Sequence, residues 1–170
     1  LNLRLLSLAV AAVGVLAAQP ALAETRFKPN AVYAFDDTPW QEKDYTLPAF
    51  PQQPSWEEFF LSVPRPNRLF VDTGSLSMGE DGVVRFILRV QSPSGAQNLS
   101  VEGIRCTGRQ VRSYAFGDNI NQRWIESMKP VWRPIEIDDA VHRTLRETLC
   151  QDGSPVKDVA SAIKQLRATR

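Results

Sequence analysis

From Val83 to Ser92, apolar and polar side chains alternate. Val84, Phe86, Leu88 and Val90 share one face, while Arg85 and Arg89 take the other. A period of two predicts a half-buried strand. Pro93-Ser94-Gly95-Ala96 reads as a four-residue turn, and Gln97–Thr107 as the returning strand. Pairing Ser92 with Gln97 sets Val90 against Leu99, Leu88 against Val101 and Phe86 against Gly103, which makes one apolar face. Arg85 and Arg89 then lie diagonal to Glu102 on the reverse face. Ile104 and Cys106 fall on the polar face in this register, so it requires either a bulge at Gly103 or a second covering layer. Arg68–Asp72 and Val111–Phe116 read as flanking strands, and Gly74–Gly82 as a turn-rich link.

Near the C-terminus the period changes to that of a helix. Val141, Leu145 and Leu149 form a stripe over Asp138–Cys150, with Asp138 or Asp139 as cap. A second helix is predicted from Ser154 as N-cap with Pro155 at its first position, carrying Val156, Val159, Ala160, Ile163 and Leu166 on one face. Gly153 is placed to stop the first helix. Residues 118–137 read as irregular. Residues 24–66 are punctuated by Pro39, Pro48, Pro51, Pro54, Pro64 and Pro66 among many aromatics. Such spacing forbids a long helix or a central strand. The segment is expected to be an extended arm, with a short strand at Ala31–Phe35 and a helical turn near Ser55–Phe60. The fold class is therefore α+β: an antiparallel sheet of about four to five strands covered by two C-terminal helices, with a Pro/aromatic-rich arm. Residues 67–170 form the body, and arm and body together make one domain.

Residues 1–23 stand apart. Arg4 precedes an apolar run from Leu5 to Ala18, and Pro20 precedes the A-x-A site Ala21-Leu22-Ala23. This is the pattern of a signal peptide cut after Ala23, and the run is shorter than the roughly 20 apolar residues that span a bilayer. A periplasmic location follows, with no stable membrane insertion of the mature chain. Export bears on Cys106 and Cys150, the only two cysteines. In an oxidising compartment an even pair is expected to form a disulfide.

The 170-residue chain carries 20 basic against 19 acidic side chains, which provides no electrostatic footprint for nucleic acid. Two Cys and one His are too few for a zinc site of four such ligands, and no metal or cofactor is expected. Gly74–Gly79 lacks the glycine that a nucleophile elbow centred on Ser77 would need. His142 falls on the outer side of the predicted helix and reads as solvated. Glu80-Asp81 and Asp138-Asp139 are explained by turns and caps. Asp36 and Asp37 are less easily explained. With Trp40 and Glu42 they place carboxylates among aromatic rings, so these four residues are the candidate binding site, set against a purely structural role for Trp40 as a pin.

Several strings then point to a family. YAFDDTPWQE (Tyr33–Glu42), LPAFP (Leu47–Pro51), RLFVDTGSLSMGEDGVVRFIL (Arg68–Leu88), SPSGAQNLSVEGIRC (Ser92–Cys106) and YAFG (Tyr114–Gly117) occur in order at matching spacing. Over Tyr33–Cys150 the chain resembles the cryptic neisserial protein-like family of small exported proteobacterial envelope proteins, some of them lipoproteins. The resemblance implies a periplasmic location and a single domain, and it carries over no catalytic or binding residue. This chain departs from the lipoprotein members in having no Cys at the cleavage site. Two functions remain in view. One is a non-catalytic binding protein whose partner is an envelope protein or glycan. The alternative is a small periplasmic hydrolase using carboxylates such as Asp36, Asp37, Asp72 or Asp81.

The exported protein is expected to begin at Glu24. Intact-mass measurement of the periplasmic fraction checks this, and a mass retaining residues 1–23 in the membrane fraction would refute it.

Overall fold

The computed structural model describes residues 39–170. The signal segment, the expected strand Ala31–Phe35 and the pair Asp36-Asp37 lie outside the described residues. The chain clusters into two units, Leu1–Pro39 and Trp40–Arg170. Its sheet is antiparallel throughout, in the order β1 (Trp56–Phe59), β2 (Arg68–Met78), β3 (Val83–Gln91), β4 (Gln97–Arg105), β5 (Gln110–Asp118) and β6 (Arg123–Glu126), with β7 (Arg133–Pro134) also paired to β5. Helices α1 (Ala140–Leu149) and α2 (Val159–Arg167) follow. The α+β class and the two helices agree with the hydrophobic pattern. The sheet reaches seven strands because short pairings extend both ends.

The central hairpin differs from its expected register by one residue. Ser92 does not pair with Gln97. It closes a five-residue loop instead, through Ser92 N–H to the Ala96 carbonyl (2.9 Å) and Gly95 N–H to the Ser92 carbonyl (2.9 Å), with Gly95 at a φ of 87°. Pairing starts at Gln91↔Gln97 and continues unbroken to Val83↔Arg105. A slip of one residue exchanges the two faces of a strand. Leu99 and Val101 therefore leave the Val84–Phe86–Leu88 face, and Ile104 lies opposite Val84. No bulge at Gly103 is needed in this ladder, since the observed register puts Ile104 and Cys106 in the core with Phe86 and Leu88.

Both sheet faces are covered. Phe86, Leu88, Ile104 and Val71 pack under Leu145 and Leu149 of α1 and Ala162 and Leu166 of α2. Ile87, Val101, Tyr114 and Ala115 pack against Tyr45, Leu47, Trp56 and Trp124. An antiparallel sheet with two apolar faces needs such a second cover.

Three local expectations are corrected. Ser55–Phe60 is not a helical turn. Trp56–Phe59 is an edge strand on β2, its burial alternating so that Glu57 and Phe59 point inward. The cap expected of Ser55 is not used, because its N–H donates to Asp72 Oδ1 (2.8 Å). The second helix starts at Val159 rather than after Ser154, capped by Asp158, which accepts from Ser161 N–H (2.7 Å). Ser154–Pro155 pairs instead with Cys150–Gln151. Asp152 (φ 50°) and Gly153 (φ 78°) make the two-residue turn between them, and Asp-Gly is a strong signal for such a hairpin. Within residues 118–137, expected to be irregular, β6 and β7 form.

The Cys106–Cys150 disulfide is present, joining the end of β4 to the C-terminal end of α1 with Cα atoms 5.5 Å apart. It closes a segment with a sequence separation of 44. In the chain-entropy treatment this constraint stabilises the fold by about 4 kcal/mol. Reduction under native conditions is expected to lower the unfolding free energy by about that amount, read as a lowered urea midpoint with a slope that rises as the unfolded chain expands.

Candidate functional site

From Trp40 to Pro54 the chain forms no helix or strand and lies across the second face of the sheet. Side chains hold it there. The Trp40 indole N–H donates to the Asp81 carbonyl (2.8 Å), its ring lies 4.0 Å from the Arg105 guanidinium, and Trp132 meets it edge-on at 5.5 Å. Further along, the Trp124 indole donates to the Pro48 carbonyl (2.9 Å) and stacks with Phe50 at 4.9 Å.

Glu42 is the centre of this attachment. One carboxylate oxygen accepts from Arg85 Nη2 (3.0 Å) and from the Tyr114 hydroxyl. The other accepts from Arg112 Nη1 and from the Trp132 indole (3.0 Å). Arg85, only 4% exposed, also grips Asp81 with both terminal nitrogens (2.6 and 3.2 Å). Two guanidiniums thus face two carboxylates. Charges this far from water persist only when paired and hydrogen-bonded. Register builds the clamp: Arg85 pairs with Gly103, and Gly103 with Arg112, in one row across β3, β4 and β5. A Cβ at Gly103 would stand 2.6 Å from the Tyr114 hydroxyl, so glycine there lets the phenol lie over the strand.

Burial raises the Tyr114 phenol well above its ordinary value, and the adjoining Glu42 carboxylate adds to this. Burial works against the ionised Asp81, yet its hydrogen bonds from Arg85 outweigh that and hold it below the usual carboxylate range. These groups are locked in one protonation state near neutral pH, which suits anchoring and not proton transfer. Beside the clamp lies a shallow cavity of about 240 Å³ lined by Glu42, Lys43, Asp44, Tyr45, Arg112 and Tyr114.

Of the expected site residues, Trp40 and Glu42 enter this cluster, while Asp36 and Asp37 lie outside the described residues. Asp72 is turned to structure, accepting from Ser55 and Gly74 N–H (2.8 and 3.1 Å). Sequence reasoning missed Arg112, Tyr114 and Trp132. Arg112 and Tyr114 do stand two apart on one strand, the spacing of a shared face, but only strand order brings them to Glu42. It also misassigned the charge partners of β3. Arg85 meets Asp81 and Glu42, and Arg89 lies between the rings of Trp56 (4.4 Å) and Phe70 (3.9 Å).

Glu102 faces the helices. There it accepts from His142 Nε2 (2.7 Å) and from the Ser100 hydroxyl (2.8 Å), and His142 Nδ1 donates to Asp139 (2.7 Å). His142 is 8% exposed, so the expectation of a solvated histidine is corrected. The helix stripe could not reveal this, because Glu102 reaches that face only in the observed register. Burial alone would depress the imidazole pKa, but hydrogen bonds to Asp139 and Glu102 outweigh it and push the value up to about 9. Asp139, despite burial, is pulled down to about 2 by His142 and Arg133. A doubly protonated ring between two carboxylates is a tie between β4 and α1. Held so, it is not a base near pH 7.

The sign of the pH effect follows. His142 is raised above its ordinary 6.5, so its contribution is complete below that value and disappears as pH rises through about 9. The loss should be on the order of 2–3 kcal/mol, seen as a falling urea midpoint between pH 6.5 and 9.5. His142→Gln should be less stable at pH 6 and lose most of this alkaline dependence. Asp139 acts at the other end, its contribution being lost only as pH falls from 3.8 towards 2.

The model of the CNP1-like family matches residues 35–167, which takes in the arm from before Trp40, the clamp, the histidine tie and both helices. Cryptic neisserial protein 1 of Neisseria gonorrhoeae (strain ATCC 700825 / FA 1090) is 25% identical over 146 residues, covering 75% of this chain and 71% of that protein. No solved structure matches. A match running from the arm through both covering layers means that the chain belongs to the CNP1-like family.

Proposed function

We propose that this chain is an exported periplasmic protein of the cell envelope that acts by binding an envelope protein or glycan, not by catalysis. The observation that carries the reading is the saturation of its candidate acid–base groups. Asp81 is bound by Arg85, Asp72 by two backbone N–H groups, Glu42 by four donors and His142 by two carboxylates. A hydrolase would need a free pair of carboxylates facing one cleft. Asp72 lies opposite Ile87 and Asp81 binds Val83 N–H, four residues away along β3, a rise of about 13 Å.

Binding is supported by the depression beside the clamp, where the rings of Tyr45 and Tyr114 adjoin Lys43, Asp44 and Arg112. Aromatic faces with a few polar groups suit a sugar or an extended peptide. Export is supported by the pattern of residues 1–23 and by the disulfide, which persists in oxidising compartments. Among the described residues no helix is long and apolar enough to cross a membrane. From Trp40 onward the arm is read as part of the body's folding unit, because the clamp joins the two.

Two variant pairs test the reading in the full mature chain. Glu42→Gln should cost about 3 kcal/mol, because it leaves the Arg85–Arg112 pair with one carboxylate fewer. Trp40→Ala should cost about 2 kcal/mol through lost burial and stacking. Asp44→Ala and Lys43→Ala should leave stability within about 0.5 kcal/mol but reduce retention on immobilised cell-wall glycan or on a purified envelope partner. Glycan cleavage by the wild-type chain that is abolished by Asp81→Asn or Asp72→Asn would replace binding with hydrolysis.

A further inference from the structure

Between the β4–β5 turn and α1, the two elements that the disulfide joins, a second cavity of about 220 Å³ is lined by Arg109, Ile135, Ile137, Arg143, Arg146 and Glu147. Its charge balance is unlike the rest of the described chain. Most other guanidiniums meet a carboxylate, Arg68 with Glu58, Arg85 with Asp81 and Glu42, Arg123 with Asp118, Arg167 and Arg170 with Glu57, or lie over an aromatic ring as Arg89 and Arg105 do. Around this cavity three guanidiniums share one carboxylate. Glu147 stands 4.0 Å from Arg143 with a largely exposed side chain, and Arg109 and Arg146 have no carboxylate partner among the described residues. Arg146 Nε is buried without a hydrogen bond. The other guanidiniums with a buried, unbonded Nε lie over aromatic rings, Arg89 on Trp56 and Phe70 and Arg105 on Trp40 among them. Arg146 has no such ring.

Local structure accounts for these cations only in part: Arg143 Nη1 donates to the Ile137 carbonyl (2.8 Å), and Arg146 lies in the last turn of α1, where the helix dipole favours a positive charge. Arg109 occupies a left-handed position (φ 51°) in the β4–β5 turn, where Gly or Asn sits without strain. Arg143 and Arg146 stand three apart on α1 and so share a face. The disulfide joins the two supports: Arg109 follows Cys106 by three residues, and Arg146 precedes Cys150 by four. The arginines are thereby held in a fixed relation before any ligand arrives, which lowers the ordering cost of binding.

We propose that this cavity is a binding site for a phosphate group carried on a small organic or lipid body. Three guanidiniums against one carboxylate leave two positive charges, which match a phosphomonoester. Guanidinium forks are suited to its oxygens. Ile135 and the exposed Ile137 supply an apolar lip for the group that bears the phosphate.

The test uses the full mature chain at constant ionic strength set with chloride. One arm titrates inorganic phosphate by calorimetry. The other measures co-sedimentation with phosphatidylcholine vesicles with and without phosphatidic acid. Saturable phosphate binding that weakens about tenfold in Arg109→Gln and Arg146→Gln, tightens in Glu147→Gln and is unchanged in Arg123→Gln supports the site with a soluble ligand. The same dependence seen only on phosphatidic acid vesicles supports it with a lipid headgroup. Should Arg146→Gln fail to fold, Arg109→Gln and Glu147→Gln, both on exposed side chains, decide the matter. No saturable binding in either arm, or binding indifferent to these substitutions, overturns the proposal.

Discussion

Pairing of Gln91 with Gln97, enforced by the loop Ser92–Ala96, decides what every side chain of the central hairpin meets. Because side chains alternate strictly along a strand, this one closure sends Glu102 to the helices and Arg85 to the arm. Moving the pairing by one residue would put Arg85 and Glu102 on the same face, so that either Glu102 turned away from His142 or Arg85 turned away from Asp81 and Glu42, and the two charge systems could not both form. Both charge systems therefore depend on a turn of five residues that itself carries no charge.

The two covers are held by different physics. On the helix side, apolar contact from Leu145, Leu149, Ala162 and Leu166 is supplemented by the His142 tie and the covalent link at Cys106–Cys150. On the arm side there is little backbone hydrogen bonding, and prolines prevent regular pairing. Attachment rests on Glu42 and Asp81 against Arg85 and Arg112, with Trp40, Tyr45 and Trp124 filling the space around them. Ion pairs of this kind add modest net stability, because desolvation offsets much of the attraction. Breaking one by removing a single partner is costly. The arm is consequently specified in position more than it is strongly bound.

The C-terminal tail adds a third tie. Arg167 and Arg170 both reach Glu57 on the edge strand β1, and the Thr169 hydroxyl accepts from Phe60 N–H. An edge strand otherwise presents unpaired backbone groups, and the end of α2 covers part of this one. The strand that sequence propensity reads as a helical turn is thus held between β2 on one side and the tail that follows α2.

What the sequence determined by itself is local and periodic. Alternation over Val83–Ser92 marks β3, the Val141–Leu145–Leu149 stripe marks α1, and the presence of just two cysteines marks the disulfide. Trp40 and Glu42 stand out in the sequence as candidates because acids among rings are unusual in a loop, and the structure brings the two into one cluster. The rest required tertiary structure, because it depends on pairings between distant residues. The hydrophobic pattern reads the loop after Ser92 as four residues, and only packing on both faces selects five. Ser55 and Ser154 both carry good capping chemistry, yet pairing with Asp72 in one case and an Asp152-Gly153 hairpin in the other overrides it. The partners of Glu42 come from β3, β5 and the segment before β7, and those of His142 from β4 and the cap of α1. Periodicity assigns a residue to a face, but only strand order and register say which residue it meets there.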